Sequence, residues 1–308
     1  MANLFPPIIH HPAFRAEMPP GHRFPMDKFS RLAAVLEAEG VAGPTGFARP
    51  EPIDLESLLL VHDEAYVRGA IDLTLPADVV RRIGMPNTDS VATRARAATG
   101  GTLLAARLAL EHGVACNTAG GSHHAQADTG AGFCVFNDVA VAARRLLAEG
   151  KVGQVLVVDL DVHQGDGTAR IFEGDTSVFT FSMHAEKNFP ARKAASDLDI
   201  DLADGTSDEA YLEKLEEILP ELLARVAPDL VFFNAGVDPH ADDKLGRLSL
   251  SDEGLARREA FVLGSCLERS IPVTGVIGGG YDADIDRLAH RHAILHRAAR
   301  KALEAPIP

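Results

Sequence analysis

Four short apolar runs along the chain end in clusters of polar, chemically reactive residues. Segment 154–159 reads QVLVVD and leads into DVHQGD, and 229–234 reads DLVFFN and leads into AGVDPH. Segment 115–119 leads into GGSHHA, and 272–277 leads into GGGYD. The runs at 154–159 and 229–234, like 177–183, are continuously apolar rather than alternating. That pattern belongs to strands buried on both faces of a parallel sheet. Helical periodicity separates them, over 27–39, 93–112, 137–149, 207–224, 252–268 and 285–303. In the first of these, Phe29, Leu32, Ala33 and Leu36 share a face and Gly40 is the stop. The alternation predicts an α/β fold, a mostly parallel central sheet flanked by helices. Segments 6–25 and 184–205 read as long loops, which are uncommon in a compact domain unless they frame a site. No internal repeat or linker interrupts the pattern, so 1–308 reads as one domain.

In open parallel sheets, ligands bind at the carboxyl ends of the strands. Asp161 and His163 lie two apart on an extended segment, so both project to one side. With Asp238 they supply two carboxylates and an imidazole. Zinc accepts such donors and keeps a fourth position open in catalytic sites; iron(II) is the alternative ion. Singly, each of these is as well explained as a loop or cap residue. His123 and His124, after a Gly-Gly turn, suit general acid and base work on water beside a metal. Such rings need carboxylates on their other nitrogen, and Asp159 and Asp166 flank the segment. Tyr281, after Gly278–Gly280, suits an oxyanion donor. A phosphate-binding reading of the glycines lacks the spacing that phosphate loops require.

Charge and cysteine content narrow the setting. The chain carries 30 Lys and Arg against 44 Asp and Glu, a formal net charge of −14. That balance disfavours non-specific binding to nucleic acid and suits cationic partners such as lysine side chains or polyamines. Cys116, Cys134 and Cys266 show no CxxC spacing, against a disulfide framework or a thiolate metal site. Prolines break the early apolar run and no stretch approaches the roughly 18 apolar residues of a membrane span. The expected location is the cytoplasm.

At these residues the sequence resembles the zinc-dependent histone deacetylase family, on the arginase/deacetylase fold. GGSHHA, GFCVFND, VVDLDVHQGDGT, NAGVD and GGGY stand in the family's order. HRFPMDKF, MHAEKNFP and NAGVDPHADDKLGRLSLS look closest to class IV deacetylases and their bacterial relatives. The resemblance implies a zinc ion on Asp161, His163 and Asp238. It implies a catalytic pair His123 and His124 with partners Asp159 and Asp166, and Tyr281 at the transition state. Gly132, Phe133 and Phe189 would then wall a narrow acyl-lysine channel. A structural potassium would sit on backbone oxygens around Asp159, Asp161, His163, Ser182 and Met183. The implied reaction is hydrolysis of N-acyl-lysine in proteins or peptides.

Three rivals remain beside it. Acetylpolyamines or other small N-acyl amines suit the same chemistry and the acidic surface. A two-manganese, arginase-like hydrolase needs further carboxylates, where the chain has Gly165 and Pro239-His240. A non-enzymatic binding module fits poorly with intact catalytic positions. Segment 6–25 would narrow the entrance or join copies in a homo-oligomer. His10-His11 reads as loop near the site mouth, Cys134 as a small buried apolar residue, and His290, His292 and His296 as surface residues of a charged C-terminal helix.

Overall fold

A computed structural model describes residues 5–304. Seven strands form one parallel sheet: β1 (Ile8–Ile9), β2 (Val114–Asn117), β3 (Val155–Asp159), β4 (Val178–Ala185), β5 (Leu198–Leu202), β6 (Leu230–Asn234) and β7 (Val273–Val276). Their order across the sheet is β1-β2-β7-β6-β3-β4-β5. Every residue of β2, β3, β6 and β7 is buried, as the apolar runs of β3 and β6 require, and the buried polar residues Asn117, Asp159 and Asn234 stand at the strand ends.

The register sets the site. Asn117 pairs with Val276, Val276 with Asn234, Asn234 with Asp159, and Asp159 with Ser182. One row of residues therefore closes the carboxyl ends of β2, β7, β6 and β3 and runs on into β4 at Ser182, so the segments leaving those four strands emerge side by side.

Ten helices are present among the described residues: α1 (Lys28–Ala38), α2 (Leu55–Leu59), α3 (Glu64–Ile71), α4 (Ala77–Ile83), α5 (Asp89–His112), α6 (Asp138–Ala148), α7 (Asp166–Ile171), α8 (Asp208–Val226), α9 (Asp252–Leu267) and α10 (Ile285–Glu304). Helices α2 to α4 are 5 to 8 residues long, too short to show a periodic stripe, and periodicity leaves them unassigned.

Both segments expected to be loops hold an edge strand. β1 is two residues long, and β5 reads LDIDL with half-exposed positions, so neither shows the unbroken apolar run of a central strand. The three histidines of α10 are also corrected. His290 is exposed, but His292 and His296 are buried. They stand four residues apart on the inner stripe with Leu288, Leu295 and Ala299, while Arg287, Arg297 and Arg300 carry the outer charge. Burial holds both rings neutral, pushing His296 down to about 4 and His292 well below its ordinary value. No described helix is long and apolar enough to cross a membrane.

Candidate active site

Asp161 and His163 leave the end of β3, and Asp238 follows β6, its neighbour in the sheet. One donor atom from each lies within 4.8 Å of the other two. His163 Nδ1 is 3.0 Å from Asp161 Oδ1 and 3.2 Å from Asp238 Oδ2. Metal–ligand bonds of about 2.0–2.2 Å in a tetrahedron place donors roughly 3.3–3.6 Å apart, so the cluster fits one ion. Asp238 Oδ2 is fully buried and has no hydrogen-bond partner, which is what a metal-directed oxygen looks like. The remaining oxygens are held by backbone: Val162 N–H donates to Asp238 Oδ1 (2.9 Å) and Gly279 N–H to Asp161 Oδ2 (2.7 Å). Gly279 has to be glycine, because a Cβ there would fall 2.0 Å from Asp238 Oδ2. The triple glycine thus grips the ligands rather than a phosphate.

His123 and His124 follow β2 and are both buried. His123 Nδ1 donates to Asp159 Oδ2 and His124 Nδ1 to Asp166 Oδ1, each at 2.7 Å. Both Nε2 atoms therefore point away from the carboxylates, and they lie 3.1 Å from one another. Burial alone would lower both pKa values. For His123 the Asp159 and Asp161 charges overcome it and push the ring up to about 9. For His124 burial and the adjacent His123 charge prevail over Asp166 and push it down to about 4. The surroundings therefore push the two rings in opposite directions, His123 toward its protonated form and His124 toward its neutral form.

The Tyr281 ring stands 6.3 Å from that of His163 and 5.8 Å from that of Phe133. Burial, then the Asp238 and Asp161 charges, push its hydroxyl well above the ordinary phenol value, so it stays a donor. Phe189 lies exposed at the rim, edge-on to His124 with ring centroids 4.8 Å apart. Phe133 faces Tyr281 from a left-handed backbone (φ +69°), a costly conformation for a bulky residue. Gly132 beside it lets this wall approach the base, since a Cβ there would sit 2.6 Å from His124 Cδ2. Ser182 and Met183 lie on β4, where Ser182 is in register with Asp159. His10 lies at the edge strand instead, bonded to Thr118 Oγ1 (2.8 Å), and His11 caps a short 3-10 turn. All three cysteines are buried and free, Cys134 among them.

Several supporting residues escape sequence reasoning. Asn234 Nδ2 donates to Asp159 Oδ1 (2.9 Å), fixing the carboxylate that holds His123. Asp138 accepts from Gly121 N–H, Ser122 N–H and Thr102 Oγ1, and so fixes the turn before the pair. Lys28, fully buried, donates to Gly278 O (3.2 Å) and Gly280 O (3.4 Å) beneath Tyr281. The strand-end position of Asn234 was the one available signal; nothing local marks the other two.

A donor cluster of this kind at the strand ends of a parallel sheet is that of a metal-dependent hydrolase. The family model described as "Histone deacetylase domain" matches residues 22–296, and the chain belongs to that family, whose members are deacetylase amidohydrolases. It is 50% identical over 294 residues to an uncharacterized protein of Picosynechococcus, covering 96% of this chain and 98% of that one. It is 31% identical to Histone deacetylase 2 of Arabidopsis thaliana, over 84% of this chain and 70% of the relative. The crystal structure of an HDA15 HD domain shares the fold, with a TM-score of 0.79 at 22% identity over 99% of this chain and 90% of that one.

Proposed function

We propose that the chain hydrolyses the amide of N-acyl-lysine in proteins or peptides. The observation that carries this is the convergence of the three donors, the carboxylate-bound histidine pair and Tyr281 on one cleft walled by Phe133 and Phe189. A divalent cation on Asp161, His163 and Asp238, zinc by the donor set, would make water more acidic and draw charge from a carbonyl oxygen. His124 Nε2, neutral and aimed by Asp166, accepts the proton of the attacking water. The Tyr281 hydroxyl donates to the carbonyl oxygen as charge builds there. The pair, in contact through its Nε2 atoms, returns a proton to the departing amine. A structural potassium beside β3 and β4 belongs to the same reading and takes no part in these steps.

The walls suit an unbranched lysine stem. Arg23, exposed and 5.0 Å over the Phe133 ring, puts a cation at the mouth that repels a polyamine more than a single lysine. The net charge of −14 favours small cationic substrates instead. Acetyl-lysine peptides and acetylpolyamines assayed side by side decide. Hydrolysis confined to the polyamines assigns the small-amine reading, and none of either by metal-loaded protein sinks both. Metal analysis of natively purified protein is expected to find one ion per chain, lost with activity on chelation and restored together by zinc or iron(II). Two ions per chain would revive the arginase-like alternative.

Tyr281→Phe removes one oxyanion donor and leaves the ring packing intact. Its kcat is expected to fall about 10²–10³-fold with peptide binding retained. Turnover at the native rate removes Tyr281 from the reaction.

A further inference from the structure

A small space of about 30 Å³ adjoins the histidine pair and Tyr281, and Arg94 forms part of its wall. Arg94 comes from α5 and is 7% exposed. Its guanidinium stacks on Phe29 (4.7 Å to the centroid) and Phe24 (5.4 Å). Among the described residues no carboxylate or carbonyl bonds to it, and its Nε is buried without a partner. The neighbouring charges are already committed. Asp138 is taken by Thr102 and the Gly121–Ser122 turn, and Lys28, a second buried cation over the same Phe24 and Phe29 rings, is satisfied by two glycine carbonyls. Burial pushes Arg94 down to about 10, so it keeps its charge at neutral pH. Cation–π contact offsets only part of the cost of desolvating an unpaired cation. A buried fork of N–H donors facing a reaction space is suited to a carboxylate.

We infer that Arg94 is a specificity residue that binds a carboxylate within the acyl space. This rests on the proposed amide hydrolysis, in which an acyl group whose carbonyl meets Tyr281 and His124 occupies that space. The carboxylate is carried on a short dicarboxylic acyl group, malonyl or succinyl in size, or is the free acid released by the reaction.

The test uses the metal-loaded full chain as wild type, Arg94→Met and Arg94→Lys. It measures kcat/KM on one peptide carrying acetyl-, butyryl-, malonyl- or succinyl-lysine, and calorimetric binding of acetate and malonate. With an acyl-borne carboxylate, wild type cleaves an acidic acyl group, and its rate relative to butyryl falls about tenfold to hundredfold in Arg94→Met, less in Arg94→Lys. With the free acid as ligand, acidic acyl peptides resist cleavage, and acetate binds Arg94→Met about tenfold or more weakly than wild type. Wild type that neither cleaves acidic acyl-lysine nor binds acetate or malonate overturns the inference, whatever the variants do. So do a cleavage ratio and affinities unchanged in Arg94→Met. If no peptide is cleaved, the proposed reaction fails while calorimetry still decides on Arg94.

Discussion

A His124→Ala variant is expected to lose about 10²–10⁴ in kcat while keeping its metal content and fold. The loss follows from position and charge together. His124 is no ligand in the cluster, so its removal leaves Asp161, His163 and Asp238 in place. It is the ring of the pair pushed toward its neutral form, and its Nδ1 is tied to Asp166, which leaves Nε2 to accept a proton. No neighbour can replace it, because His123 already holds its proton against Asp159. The pH profile carries the same logic. Activity requires neutral His124 and protonated His123, so it is lost as pH falls through the first pKa and as pH rises through the second. Asp159 raises the His123 pKa, and Asp159→Asn should move the alkaline limb to lower pH. Asp166 raises that of His124, and Asp166→Asn should move the acid limb lower as well. A His124→Ala variant with near-native turnover, or limbs that ignore both substitutions, defeats the assignment.

Legibility in the sequence followed a physical boundary. A buried parallel strand must be apolar throughout, so β3 and β6 announce themselves, and the reactive residues just beyond them inherit a location. Asp161, His163 and Asp238 were readable for that reason, while the glycine turns before them marked the histidine pair and Tyr281. Edge strands carry no such constraint, which is why β5 with its alternating LDIDL passed for loop. Helix α10 misled differently. Its histidines share the segment with arginines, and only the four-residue spacing of His292 and His296 separates the buried stripe from the charged one. Lys28 and Arg94 stayed invisible because a cation in a helix defaults to solvent. Their burial is decided by Phe24, Phe29 and the glycine carbonyls, contacts that no local pattern encodes.

Arg258→Met is expected to destabilise the fold by about 3–5 kcal/mol, the loss typical of breaking a buried ion pair from one side. Arg258 and Glu259 are both fully buried on α9, and the guanidinium donates to both Glu259 oxygens (2.7 and 2.8 Å). The same group donates to Leu160 O (3.0 Å) and Gly236 O (2.8 Å). Those carbonyls lie one residue before Asp161 and two before Asp238, so one side chain ties the two ligand-bearing segments together. Methionine fills much of the volume but satisfies none of the four acceptors. Glu259, which burial pushes up and Arg258 holds back, must then take up a proton or remain an uncompensated charge. Arg258→Met/Glu259→Leu should recover part of the stability, since an apolar pair removes the stranded carboxylate. It should not recover zinc affinity, because Leu160 and Gly236 stay unbound. Urea unfolding read beside zinc titration separates the two effects. Full return of zinc affinity in the double variant would show that α9 supports the sheet without positioning the ligands.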